Sequence, residues 1–141
     1  MKGFIDNIEK LTQDNSHFRR VLYTGKNMQL VVMTLQPGED IGMEVHPNID
    51  QFFRIEAGNG EVVIDGKTTQ MKSEDAIIVP AGAKHNVINT GDKPLKLYTL
   101  YGPPEHKDKT VHKTKSDAKE EHFDGKTTES SQDGSKSPSL I

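Results

Sequence analysis

The sequence predicts an all-β domain, a sandwich or barrel of short strands that follows one N-terminal helix and precedes a polar C-terminal extension. Three observations carry that expectation. Turn signals recur at short intervals, among them Gly25-Lys26-Asn27, Gln36-Pro37-Gly38, Gly58-Asn59-Gly60, Asp65-Gly66, Pro80-Ala81-Gly82 and Gly91-Asp92-Lys93-Pro94. Many short strands at this spacing mean a sandwich or a barrel. All the apolar residues except Val111, Ala118, Phe123, Leu140 and Ile141 lie in the first 101 positions; that part can close a small core, and the remainder cannot offset its own chain entropy. The length, 141 residues, fits one domain.

The elements follow in order. Over residues 1–16, Phe4, Ile5, Ile8 and Leu11 recur at helical spacing with Asp6 and Glu9 between them, the pattern of a short amphipathic helix leaning on the domain. From 17 to 104 the period changes, and strands are expected at 18–24, 28–36, 42–46, 50–56, 60–65, 67–72, 75–79, 85–90 and 95–101. Asp65-Gly66 joins two of them as a hairpin, because both residues tolerate positive φ. The runs Leu30 to Met33 and Ala76 to Val79 are apolar on both faces, which suits sheets covered on one side by the core and on the other by the helix or a partner. Residues 105–125 read as a polar extension in which Ser116 caps a short helix through Glu121, with Asp117 in its first turn. Residues 126–141, rich in Ser, Thr, Gly and Lys, read as a disordered tail.

Composition excludes several function classes. The net charge is -3 with acids and bases mixed, so no basic stripe points to nucleic acid and no polybasic amphipathic run to a membrane. There are no cysteines, which removes disulfides and thiol chemistry. Met1-Lys2-Gly3-Phe4-Ile5-Asp6 breaks any apolar run at once, so no signal peptide is expected, and runs such as Leu30-Val31-Val32-Met33 are too short to span a bilayer. A cytoplasmic location is the default expectation.

Chemistry concentrates in two segments, Gly42-Met43-Glu44-Val45-His46 with Gln51 and Gly58, and Pro80-Ala81-Gly82-Ala83-Lys84-His85 with Asn89. Alternate strand residues face one side, so Glu44 and His46 project together, Gln51 opens the next strand with Phe53 and Ile55 beneath it, and His85 starts another. Two imidazoles, one carboxylate and one amide oxygen suit a divalent first-row ion and leave positions open for water or substrate. The expected metal ligands are therefore Glu44, His46, Gln51 and His85, holding zinc, iron, manganese or nickel. Glu44 and Tyr98 are the candidate catalytic residues, with Tyr101 either a pocket hydroxyl or a packing residue. Asn89 is expected to satisfy backbone groups. His106 and His112 are expected in solvent, and Lys107, Lys109, Lys113 and Lys115 on a flexible arm.

These residues resemble the cupin superfamily over about residues 28–101. Its first motif maps onto Gly38 or Gly42, Glu44, His46, Gln51 and Gly58. Its second maps onto Pro80, Gly82, His85 and Asn89, with Glu74 where the motif has Gly. Glu44 stands in place of the motif's first His and Gln51 in place of its acid, so the ligand charge has moved along the set. The resemblance implies a small single-domain cupin with a double-stranded β-helix (a jelly-roll barrel), a bound metal, a small-molecule ligand and a homodimer. Three function classes follow: a metal-dependent isomerase, epimerase or lyase acting on a sugar or sugar acid; a dioxygenase built on two histidines and a carboxylate; and a non-catalytic small-molecule-binding module.

Overall fold

In the computed structural model, which describes residues 1–132, ten strands form two antiparallel sheets that face each other. The strands are β1 (Arg19–Thr24), β2 (Gln29–Leu35), β3 (Glu44–Val45), β4 (Asp50–Ala57), β5 (Asn59–Ile64), β6 (Lys67–Lys72), β7 (Ala76–Val79), β8 (Lys84–Ile88), β9 (Leu95–Gly102) and β10 (Val111–His112). One sheet has the order β10-β1-β2-β9-β4-β7 and the other β3-β8-β5-β6. This is the jelly-roll barrel expected from the sequence.

Period-2 alternation puts the core between the sheets. Along β9 every second residue is buried, and Leu97 and Tyr101 face Ile55 and Gln51 across the register with β4. Phe53, Ile55, Met33, Leu35, Leu95 and Leu97 are all at most 1% exposed; burying each such side chain contributes roughly 1.5–3 kcal/mol. Asp65 (φ 46) and Gly66 (φ 83) make the hairpin between β5 and β6, the paired positive φ that a two-residue turn needs. Glu74 also takes a positive φ, 77, at the position where the sequence motif has glycine.

Helix α1 (Ile8–Asp14) starts later than its apolar spacing suggests. The Asn7 side chain accepts from Lys10 N and caps it, so Phe4 and Ile5 lie outside the helix. Phe4 instead packs 6.3 Å from the Tyr23 ring, and Ile5 is 98% exposed. The helix covers the outer face of the larger sheet, where Asn15 bonds Thr34 and accepts from Lys96 Nζ.

The C-terminal extension departs most from expectation. β10 pairs with β1, and His106 bridges to His122. In place of a Ser116-capped helix there is one 3₁₀ turn, Lys115–Asp117. Asp117 closes it by accepting from Thr114 N and Thr114 Oγ1, so the capping residue is Thr114. Lys115 then pairs with Asp40. His106 and His112 are buried, not in solvent, because the strap 105–122 lies against the barrel. The stretch read as a tail begins with Thr128 Oγ1 accepting from Thr24 N and a short helix α2 (Thr128–Gln132); residues 133–141 lie outside the described residues. No helix among the described residues is long and apolar enough to cross a membrane.

Candidate metal centre

The site is assembled by one short strand pair. In β3 and β8, Glu44 stands directly opposite His85 and Val45 opposite Lys84, and directly opposed residues share a face with Cβ atoms about 5 Å apart. His46 alternates with Glu44 onto that face, while Val45 turns outward at 47% exposure. Two backbone contacts fix the pair. Gly42, at φ 109, donates to Asn86 Oδ1, and Gly82, at φ 88 in the turn before β8, donates to His46 O.

The result is a cluster in which one donor atom each from Glu44, His46 and His85 lie within 4.8 Å of one another. His46 Nε2 is 3.9 Å from Glu44 Oε1, and the two imidazole centroids are 5.3 Å apart. His85 Nδ1 donates to Ala83 O at 3.1 Å, because a carbonyl can only accept; the lone pair is therefore on Nε2. His46 Nδ1 donates to Glu105 Oε2 at 3.1 Å, again leaving Nε2 for the site. Both Nε2 atoms are buried without a partner among the described residues. Buried polar atoms are normally satisfied, and a carboxylate or carbonyl on the far nitrogen is the usual outer support of a metal-bound histidine. The donor set fits a divalent ion.

Gln51 is 3% exposed. Its Nε2 donates to Thr99 Oγ1, its side chain lies beside the Tyr101 hydroxyl, and its Oε1 is buried without a partner among the described residues. That oxygen is the fourth candidate donor. Asn89 is occupied by backbone, donating to Leu35 O and Lys93 O and accepting from Gly91 N.

Electrostatics couple the centre to the strap. The hydrogen bond to Glu105 holds the His46 pKa above its ordinary value against the opposing effect of burial. Burial pushes the Glu105 carboxyl up, but His46, His106 and His122 outweigh it and keep it below the usual carboxylate range. The Tyr101 hydroxyl lies 3.2 Å from His106 Nε2 and its ring 5.9 Å from that of His46. Burial pushes the Tyr101 pKa up, and burial with the nearby Arg19 charge pushes His106 down to about 3.

Tyr98 does not join this group. It sits on the outer face of β9, 6.2 Å from the ring of Phe52, since alternation sends Thr99 and Tyr101 inward. The buried hydroxyl at the site is that of Tyr101. Phe53 faces inward against His85. A cavity of about 220 Å³ lies beside the centre and meets it at Glu44; Arg19, Glu105, His106, Lys115 and His122 are among its other lining residues. Glu105, His106 and Arg19 are the site residues that sequence reasoning missed. The available signal was position: Glu105-His106 follows Tyr101, at the end of the last long strand, by only a few residues.

A family model described as Cupin domain matches residues 31–101. The chain is 52% identical over 124 residues to the uncharacterized protein YrkC of Bacillus subtilis, covering 83% of this chain and 66% of that protein. A crystal structure of BH2720 from Bacillus halodurans superposes with a TM-score of 0.81 at 46% identity, covering 82% of this chain and 92% of that one. A more distant relative, mannose-1-phosphate guanylyltransferase of Escherichia coli, is 27% identical over 103 residues, 64% of this chain and 22% of that enzyme. The chain thus spans just under two thirds of YrkC and about a fifth of the guanylyltransferase.

Proposed function

This chain belongs to the cupin family, and we propose that it is a metal-dependent enzyme of the isomerase, epimerase or lyase type acting on a small sugar or sugar acid, with Glu44, His46, Gln51 and His85 as its metal ligands. The observation that carries the proposal is the pair of Nε2 atoms of His46 and His85, buried without a partner among the described residues, in a cluster where these two residues and Glu44 each offer a donor atom within 4.8 Å of the others. A bound divalent ion would supply Lewis acidity to a substrate carbonyl or hydroxyl oxygen. The chain's own groups do the rest. Glu105 orients His46, Glu44 is the carboxylate able to take a proton at Oε1, and the Tyr101 hydroxyl, kept protonated by burial, donates to a ligand oxygen. The distant relation to a sugar-nucleotide enzyme supports a sugar-like ligand.

The composition of the cluster also favours a second reading. Two histidines and one carboxylate are the donor set of non-haem iron oxygenases. Elemental analysis of protein purified without chelators, beside a His85→Ala variant, tests the centre: near-stoichiometric metal is expected in the parent and a large loss in the variant. Equal metal in both would remove His85 from the site. Metal-loaded protein incubated with uronic acids and followed by NMR should then shift anomers or keto-enol forms without oxygen. Iron with oxygen uptake that requires substrate would establish the oxygenase reading in its place.

A further inference from the structure

Arg19 is a cation buried beside the site with no direct ion pair among the described residues. It is 5% exposed and opens β1, where β10 places His112 opposite it. Its Nη1 lies 3.2 Å from His112 Nδ1, and its guanidinium carbon lies 5.1 Å from the centroid of the Phe18 ring. Among the described residues it pairs with no carboxylate, and its Nε is buried with no partner. A guanidinium carries five N–H donors and does not give up its proton, so one neutral acceptor and one aromatic face leave most of its hydrogen-bonding capacity unfilled. Arg19 also lines the same cavity as Glu44 and Glu105.

The geometry points to Arg19 as the anchor for an anionic ligand, a carboxylate that forks onto the guanidinium while a neighbouring hydroxyl or keto oxygen of the same molecule faces Glu44, His46 and His85. The inference rests on the small-substrate reading above and narrows it to carboxylate-bearing molecules, sugar acids or other hydroxy or keto acids. A planar guanidinium matches a carboxylate in two parallel hydrogen bonds. A singly charged partner is favoured because four carboxylates, Glu44, Glu105, Glu120 and Glu121, line the same cavity against Arg19, Lys115 and Lys119, and Lys115 is already paired with Asp40; a doubly charged phosphate would meet the greater repulsion.

Calorimetric titration of the full chain, metal-loaded and metal-free, tests this. The probes are D-galacturonate and D-gluconate against the neutral D-galactose and D-glucitol, with D-galactose 1-phosphate as a third arm. At least one carboxylate is expected to bind about tenfold tighter than its neutral counterpart, as a hydrogen-bonded charge pair gives. Arg19→Gln should abolish that ratio at unchanged metal content. Arg19→Lys, which keeps the charge but loses the fork, should retain only part of it. His85→Ala should lose metal and weaken acid and neutral probes alike, leaving the ratio; a parent that takes up no metal yet prefers the acids through Arg19 sinks the metal reading alone. The anchor is overturned if no carboxylate binds tighter than its neutral counterpart, if the phosphate is preferred, or if Arg19→Gln loses stability but keeps the ratio. Should Arg19→Gln not fold, the parent ratio and its partial loss in Arg19→Lys decide the matter.

Discussion

Glu105 reaches His46 from the segment between β9 and β10, and it shows how a residue outside the motif can orient a candidate ligand. Its carboxylate accepts from His46 Nδ1, fixing the ring and raising the basicity of Nε2. Glu105→Gln keeps the size and a hydrogen-bonding oxygen but removes the charge. Metal affinity should fall by about 10–100-fold, read by competition against a chelator, while metal content at saturation stays that of the parent. Unaltered affinity would reduce Glu105 to a packing role. At this scale the sequence placed Glu44 and His46 on one face, because strand alternation is a local rule, and His85 with them through the spacing of the two cupin-like motifs. The same rule failed at Tyr98. In Leu97-Tyr98-Thr99-Leu100-Tyr101 both faces carry large apolar side chains, since the outer one packs Tyr98 against Phe52 and the pattern does not say which face is the core.

Among the elements, the turn before β7 and the end of the extension each make a prediction. Glu74 holds a left-handed conformation at φ 77 while exposed to solvent, which costs a non-glycine residue roughly 1–2 kcal/mol. Glycine's larger loss of chain entropy offsets part of that. Glu74→Gly should therefore raise stability by up to about 1 kcal/mol in denaturant unfolding, and a loss would mean that the Glu74 side chain contributes a contact of its own. Further along, Glu129 accepts from Lys2 N, Gly3 N and the Tyr23 hydroxyl, tying the C-terminal segment to the N-terminus. The Tyr23 hydrogen bond leads the three that lower its pKa to about 2. A carboxyl depressed in the folded state stabilises above its unfolded pKa and stops doing so as pH falls through the folded one. The tether is thus complete above about pH 4.5 and lost near pH 2. The Tyr23 ring resonances should titrate with a midpoint near 2, and a midpoint at 4.5 would show no tether. The strand ranges were legible because turns punctuate them; the strap was not, because its polar composition carries no periodic signal and its order comes from partners such as Asp40 and Arg19, far off in sequence.

For the molecule as a whole, burial of His106 links stability to pH. Its pKa of about 3 when folded, set first by burial and then by Arg19, lies below the ordinary value of 6.5. Between those values the unfolded chain binds more protons at His106, so the contribution of this residue is full above about pH 6.5 and falls as pH drops toward 3, by at most about 1.4 kcal/mol per unit. Thermal unfolding of the parent across this range should show the decline, and His106→Asn should flatten it. An equal slope in both would assign the acid sensitivity to other groups.

The sequence by itself determined the short strands, their turns and the shared face of Glu44 and His46, since these follow from period-2 alternation and from residues suited to positive φ, both properties of neighbouring positions; the barrel closure that brings His85 opposite Glu44 was legible through the spacing of the two cupin-like motifs. Only the tertiary structure decided that residues 105–122 lie over the barrel, that Glu105 supports His46, that Tyr101 and not Tyr98 faces the site, and that Arg19 is buried there. Those outcomes depend on contacts between residues some 60 to 90 positions apart, such as Glu105 with His46 and Arg19 with His112, and no local pattern encodes which distant groups will meet.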